Sequence, residues 1–115
     1  MPDPIVFKAE ASLWALLESG EKRFDMRRWD LSDDRIYRLA QGTWPAGSHM
    51  PIAILELPQR PGWLWCPVEK RVSFLNKADG RLLTFEYLGM EFARWAPGWT
   101  FLILGRRLSG GGPGR

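Results

Sequence analysis

Downstream of Gly20 the chain brings an amine, a carboxylate and two guanidiniums close together in Lys22, Arg23, Asp25 and Arg27. A glycine that ends a helix leaves the following backbone free to expose its amides, so Lys22 stands at the mouth of the next segment as a compact, donating charge. In an extended segment Arg27 shares a face with Asp25, two positions away, so carboxylate and guanidinium can hydrogen-bond and fix each other's orientation. Such a group can meet a phosphate or a base edge, with Asp25 orienting Arg27 or accepting from a base amino group. The competing use is a surface strand with solvent-exposed ion pairs, each contributing at most about 1 kcal/mol. Trp29, Trp44 and Trp63 supply faces on which bases stack at about 1–3 kcal/mol each, or else they pack the core and the loop.

The elements that must position these residues follow from periodicity. From Lys22 to Trp29 the pattern has period two, with Phe24 and Met26 on the apolar side of a half-buried strand and Arg23, Asp25 and Arg27 on the other. Arg28 falls with Phe24 and Met26, which predicts a place at the end of a barrel or a partner such as Asp30. Upstream, Ile5-Val6-Phe7-Lys8 reads as a short strand. Ser12 then caps a helix whose Leu13, Trp14, Leu16 and Leu17 form its packing stripe and which Gly20 stops. Ser32-Asp33-Asp34 opens a short helix through Ile36, Tyr37 and Leu39, a short strand over 35–39 being the alternative.

Residues 41–68 are rich in Gly and Pro and predict a long loop with one short strand at 52–57. Trp44, Trp63 and Trp65 are too apolar to be left in water, so the loop either packs over the sheet or forms a lid or interface. Gly47-Ser48-His49-Met50 matches the scar of a cleavable tag at an internal position and carries no functional weight. A hairpin spans 71–88. Asp79-Gly80 as a two-residue turn sets Phe74 against Phe85 and Val72 against Tyr87, whereas a three-residue loop sets Phe74 against Thr84. A turn at Trp95-Ala96-Pro97-Gly98-Trp99 leads to an apolar run at 100–104, expected as a central or closing strand. The Gly-rich residues 109–115 are expected to form a mobile tail.

At 115 residues one domain is expected over 1–108, in the α+β class. Seven Trp and six Phe supply an ample core. A net charge of +3 and a pI near 9.4 permit an anionic partner without requiring one. Cys66 and His49 are the sole cysteine and histidine, which excludes an internal disulfide and a cysteine- or histidine-rich metal site. No cofactor is predicted. With no leader pattern and no long apolar run, the expectation is a cytoplasmic protein without membrane attachment.

The segment Gly20-Glu21-Lys22-Arg23-Phe24-Asp25-Met26-Arg27, leaving a helix and opening a strand, resembles the G-x-K-x-x-E-x-R signature of the ASCH family. In outline the resemblance extends through Val72-Ser73-Phe74-Leu75-Asn76 to the terminal strand. It implies a small PUA-like curved or partly closed β-barrel with one or two flanking helices. It also implies recognition of RNA or a modified nucleobase by a pocket of Lys22, Asp25 and Arg27, with Arg23 and Trp29 nearby. Asp25 stands where the signature has Glu, and Asp33-Asp34 is the nearest substitute for the Gly-Asp pair that often precedes the family's next strand. Some ASCH proteins resemble hydrolases that remove an acyl group from a modified cytidine through a Lys and a nucleophilic Thr. Lys22 matches the Lys, but Asp25 holds the Thr position, and neither Arg23 nor Met26 replaces that nucleophile. Binding is therefore favoured over catalysis, with Asp25 or Glu86 as a general base for water lacking a motif. A further alternative is a small protein-interaction module, of the kind phages and mobile elements carry, whose Trp-rich loop binds a host protein.

Overall fold

A left-handed glycine sets the first reversal of the chain. The computed structural model describes residues 3–43, 49–50, 66–92 and 96–110. It opens with strand β1 (Val6–Ala9) and helix α1 (Ala11–Ser19). The helix stops where Gly20 adopts φ 84° and donates its N–H to Leu17 O, a conformation costing other residues about 1–2 kcal/mol. The chain then enters β2 (Phe24–Arg28) and a short helix α2 (Asp34–Leu39), whose N-cap Asp33 accepts from Arg35 N. Next come β3 (Gly42–Thr43), β4 (His49–Met50), β5 (Cys66–Pro67), β6 (Arg71–Asn76), β7 (Leu82–Phe92) and β8 (Trp99–Gly110).

The main sheet has five strands in the order β1-β6-β7-β8-β2, and β3 lies between β4 and β5 in a small second sheet. β1 runs parallel to β6, and the other neighbours in the main sheet are antiparallel. The β7–β8 ladder slips register three times between Thr84 and Gly89. Each bulge adds bend and twist, and the sheet curls into a half-barrel flanked by two helices, an α+β architecture. The expected central strand is β8, lying between β7 and β2.

The core fills the concave side. Phe74 meets Phe7 at 6.2 Å and Phe85 at 6.1 Å between ring centroids. Two buried aromatics tie the helices to the sheet by their polar atoms: Trp14 Nε1 donates to Phe74 O at 2.9 Å and the Tyr87 hydroxyl to Leu39 O at 2.8 Å. Burial drives the Tyr87 pKa far upward, so the hydroxyl stays a donor. Among the described residues no helix is long and apolar enough to cross a membrane.

Several local expectations are corrected. Glu10, not Ser12, occupies the N-cap of α1, without a side-chain cap hydrogen bond. Trp14 and Leu17 carry the helix–sheet contact while Leu13 and Leu16 are exposed, because this nine-residue helix meets the sheet through a single i, i+3 pair. The hairpin turn is longer than either predicted version. Residues 77–80 form it: Asn76 N donates to Arg81 O, Gly80 N donates to Asn76 O, and Asn76 Oδ1 accepts from Ala78 N. Those local bonds favour the longer turn. The pairing moves by two positions, to Phe74↔Leu83 and Val72↔Phe85, so every side chain keeps its face and Phe74 still touches Phe85 diagonally. Strand β8 also continues through Ser109 and Gly110. The predicted strand at 52–57, Trp44, Trp63, Trp65 and residues 111–115 lie outside the described residues.

Replacing Trp14 by Phe removes the indole donor to Phe74 O and part of the buried ring. Trp14→Phe should lower unfolding free energy by about 1–3 kcal/mol, read from the urea midpoint at unchanged slope.

Candidate functional site

Strand β2 lies opposite to its predicted orientation. Asp25 is only 5% exposed and faces inward, whereas Phe24 and Met26 are 44% and 39% exposed on the outer face. The reason lies across the opening of the half-barrel. β1 is bonded to β6 through Ile5 O, which accepts from Ser73 N, and Ala9 O, which accepts from Lys77 N. Alternation points Val6 O and Lys8 O away from β6, as edge acceptors in need of donors. Arg27 on β2 donates Nη2 to Lys8 O at 3.1 Å, and Arg35 on α2 donates Nη1 to Val6 O at 3.0 Å.

Each arginine is aimed by an aspartate two residues before it. Arg27 Nε bonds Asp25 Oδ2. Arg35 grips Asp33 with Nε on Oδ1 at 3.0 Å and Nη2 on Oδ2 at 2.7 Å. Both guanidiniums lie over the Phe7 ring, at 4.5 and 4.3 Å from its centroid. The hydrogen bonds from Arg35 hold the Asp33 carboxyl below its ordinary pKa against the opposing effect of burial, and Asp33 raises Arg35 in turn.

Among the described residues two recesses flank β2. The larger, about 600 Å³, lies between the end of α1, the residues preceding β2, and strands β7 and β8; Lys22, Arg23, Arg106 and Arg107 line it with Glu18 and Glu86. Glu86 Oε1 accepts from Arg106 N at 2.9 Å and Nε at 3.2 Å, which holds its carboxyl below the usual value. A Cβ at Gly105 would come within 2.9 Å of Glu86 Oε1, so this glycine gives the carboxylate its space. Arg107 Nη1 donates to Glu18 O at 3.2 Å. Among the described residues Glu18 Oε2 is buried without a hydrogen bond and pairs with Arg81 Nη1 at 3.7 Å. Lys22 Nζ stands 5.7 Å from the Phe24 ring centroid. Among the described residues, neither Lys22 nor Arg23 has a carboxylate partner. The smaller recess, about 300 Å³, carries Arg27, Arg28, Arg35, Asp30 and Asp33 beside Phe7, Met26 and Trp99.

The structure thus joins Asp25 to Arg27 and places Lys22 with Arg23 in a different recess. Arg28 shares the outer side with Phe24 and Met26 as expected, but that side faces outward and the guanidinium lies over Trp99 at 5.0 Å. Trp29 is half-buried, packs against the core and lines neither recess. Sequence reasoning missed Arg35, Arg106 and Arg107 as lining cations. A signal for Arg35 was present, because Asp-x-Arg occurs at 25–27, 33–35 and 79–81 and each instance is an ion pair. The Arg106-Arg107 doublet after an apolar run was the equivalent cue on β8.

The arrangement can bind anions and hydrogen-bond donors. Arg27 occupies the Asp25 carboxylate, and the hydrogen bonds from Arg106 hold the Glu86 carboxyl below its usual value, which makes Glu86 a poor general base. Among the described residues no three His, Cys, Asp or Glu side chains converge on a common point.

Arg27→Lys keeps the charge but loses the fork that reaches Asp25 and Lys8 O together. It should cost about 1–3 kcal/mol in urea denaturation, whereas Lys22→Ala should change stability by less than about 0.5 kcal/mol. The depressed carboxyl of Asp33 gives stability that is complete above its unfolded pKa of about 3.9 and is lost as pH falls through the lower folded value. Wild-type protein should therefore lose more stability than Asp33→Asn between about pH 5 and pH 2.5, measured by urea melts across that range.

A scan against models of known protein families, a search of curated proteins and a search of solved structures each found no match to this chain.

Proposed function

We propose that this chain is an ASCH-type, PUA-like domain that recognises RNA or a modified nucleobase, with ligand phosphate received beside Lys22 and Arg23. The observation that carries the reading is a concavity in which Lys22 and Arg23, with no carboxylate partner among the described residues, stand beside Arg106 and Arg107. Cations in such a place hold counterions, and a polyanion that displaces them gains the entropy of their release. Glu18 Oε2 adds an acceptor that is buried and, among the described residues, lacks a hydrogen bond, suited to a base amino group or a ribose hydroxyl.

The signature residues support the same reading. Gly20 caps the helix in the left-handed conformation and Lys22 follows at the mouth of β2. Asp25 reaches Arg27 despite being a methylene shorter than the family's Glu. In this proposal Arg27 holds the barrel opening and lines the smaller recess, and the first contact with ligand falls to Lys22 and Arg23.

Titration of a labelled single-stranded RNA by fluorescence anisotropy tests the assignment. Lys22→Ala combined with Arg23→Ala should remove most of the affinity and make the plot of log K against log salt shallower by about 1.4, with the urea midpoint unchanged. Equal affinity and slope in the double variant would exclude this recess as the binding site.

A further inference from the structure

The outer face of the β2–β8 ladder is rich in apolar and aromatic side chains, two of them, Phe24 and Met26, exposed. Register places Phe24 against Ile103, Met26 against Phe101 and Arg28 against Trp99, and alternation turns all six outward, since Asp25, Thr100 and Leu102 between them are buried. Phe24 meets Phe101 edge to face at 5.5 Å. A contiguous apolar strip on an outer sheet face marks an interaction surface more often than chance.

Its borders state what kind of partner it suits. Lys22 closes one end over Phe24, and Arg28 closes the other over Trp99. These cations lie six positions apart, roughly 20 Å for an extended chain. Neither has a carboxylate partner among the described residues. On the β7 side Glu91 pairs with Phe101, which places negative charge along the border away from β2. An apolar partner would gain nothing from cations set over the aromatic rings at both ends. A polyanion with flat apolar groups matches the whole pattern: phosphates along the β2 edge, repelled from the Glu91 side, and rings over the centre. The strip is also continuous with both recesses, through Lys22 at one end and through Met26, Arg28 and Trp99 at the other.

We infer that this face is a stacking platform for single-stranded nucleic acid, with bases on the exposed side chains of Phe24 and Met26 and backbone phosphates at Lys22 and Arg28. The inference rests on the nucleic-acid reading above and extends it from a pocket to a path. Stacking on an open sheet face tolerates any base, because every base has a π-face, so the platform contributes affinity with little sequence preference. A duplex keeps its bases stacked internally and should gain nothing from it.

The test compares single-stranded RNA with a duplex of the same sequence, by anisotropy at fixed salt, for wild type, Phe24→Ser/Met26→Ser and Phe24→Leu. The side chains altered are partly exposed, and circular dichroism with urea melts verifies the fold. The Ser variant should bind the single strand about tenfold more weakly or worse, with an unchanged salt slope and unchanged duplex binding. Phe24→Leu, which keeps apolar area but loses the ring, should also weaken single-strand binding. Unchanged single-strand affinity in both variants, while Lys22→Ala/Arg23→Ala still weakens binding, overturns the platform and leaves the nucleic-acid reading intact. Absence of binding by wild type removes both. If the Ser substitutions only convert a wild-type dimer to a monomer in sedimentation, with RNA affinity unchanged, a second copy covers this face and the platform is again overturned.

Discussion

Strand β1 is paired on one side only, and the way its other side is satisfied governs the architecture around it. A direct β1–β2 ladder would bring the two edges to about 4.8 Å and close the barrel on itself. Instead Arg27 and Arg35 donate to the free carbonyls Lys8 O and Val6 O, and a long side chain bridges a wider gap than a peptide N–H can. The half-barrel is therefore held across its opening without being sealed. Phe7 lies beneath both guanidiniums and gives the bridge an aromatic floor.

Drawing charge toward a core is costly unless the charge is paired and hydrogen-bonded. Here the pairing is local in sequence: Asp25 precedes Arg27 on one strand face, and Asp33 precedes Arg35 at a helix start. An aspartate two residues away needs little further ordering of the chain to reach its arginine. Once Asp25 and Arg27 occupy the inner side of β2, strand alternation leaves Phe24 and Met26 nowhere but outside. The polar opening and the apolar outer strip are thus two consequences of one strand orientation.

This explains which parts of the structure were legible in the sequence. Elements whose signals are local came through: the glycine stop at Gly20, the α2 start at Asp33, the apolar run that became β8, and the Asp25–Arg27 pair. The hairpin kept its faces although its turn is longer, because a shift of two preserves side-chain alternation while Asn76 and Gly80 decide the turn from within. The orientation of β2 was read backwards because apolar-inward alternation assumes that a strand's inner side meets the core, and this one meets an unpaired edge contributed by residues far upstream. The grouping of Lys22 with Asp25 and Arg27 rested on their closeness in sequence. Lys22 precedes the regular strand, beside the end of α1, and turns into a recess built partly from Glu86, Arg106 and Arg107, whose proximity only the β7–β8 ladder creates.

The modest net charge of +3 conceals a division of labour among the cations. Arg27, Arg35, Arg38, Arg81 and Arg106 are each tied to a carboxylate, and such cations have little left to offer a ligand, since a competing anion must first displace an acid already in place. Lys22, Arg23 and Arg28 sit at the two ends of β2 with no such competitor among the described residues, and their charge is available at full strength to whatever approaches that strand. One short strand therefore holds the fold with its inner face and, in the proposed reading, meets the ligand with its ends and outer face. Changes to the inner face are felt as stability and changes to the outer face leave the bridge across the opening intact, because the side chains that hold the opening and the side chains that meet solvent alternate along the same five residues.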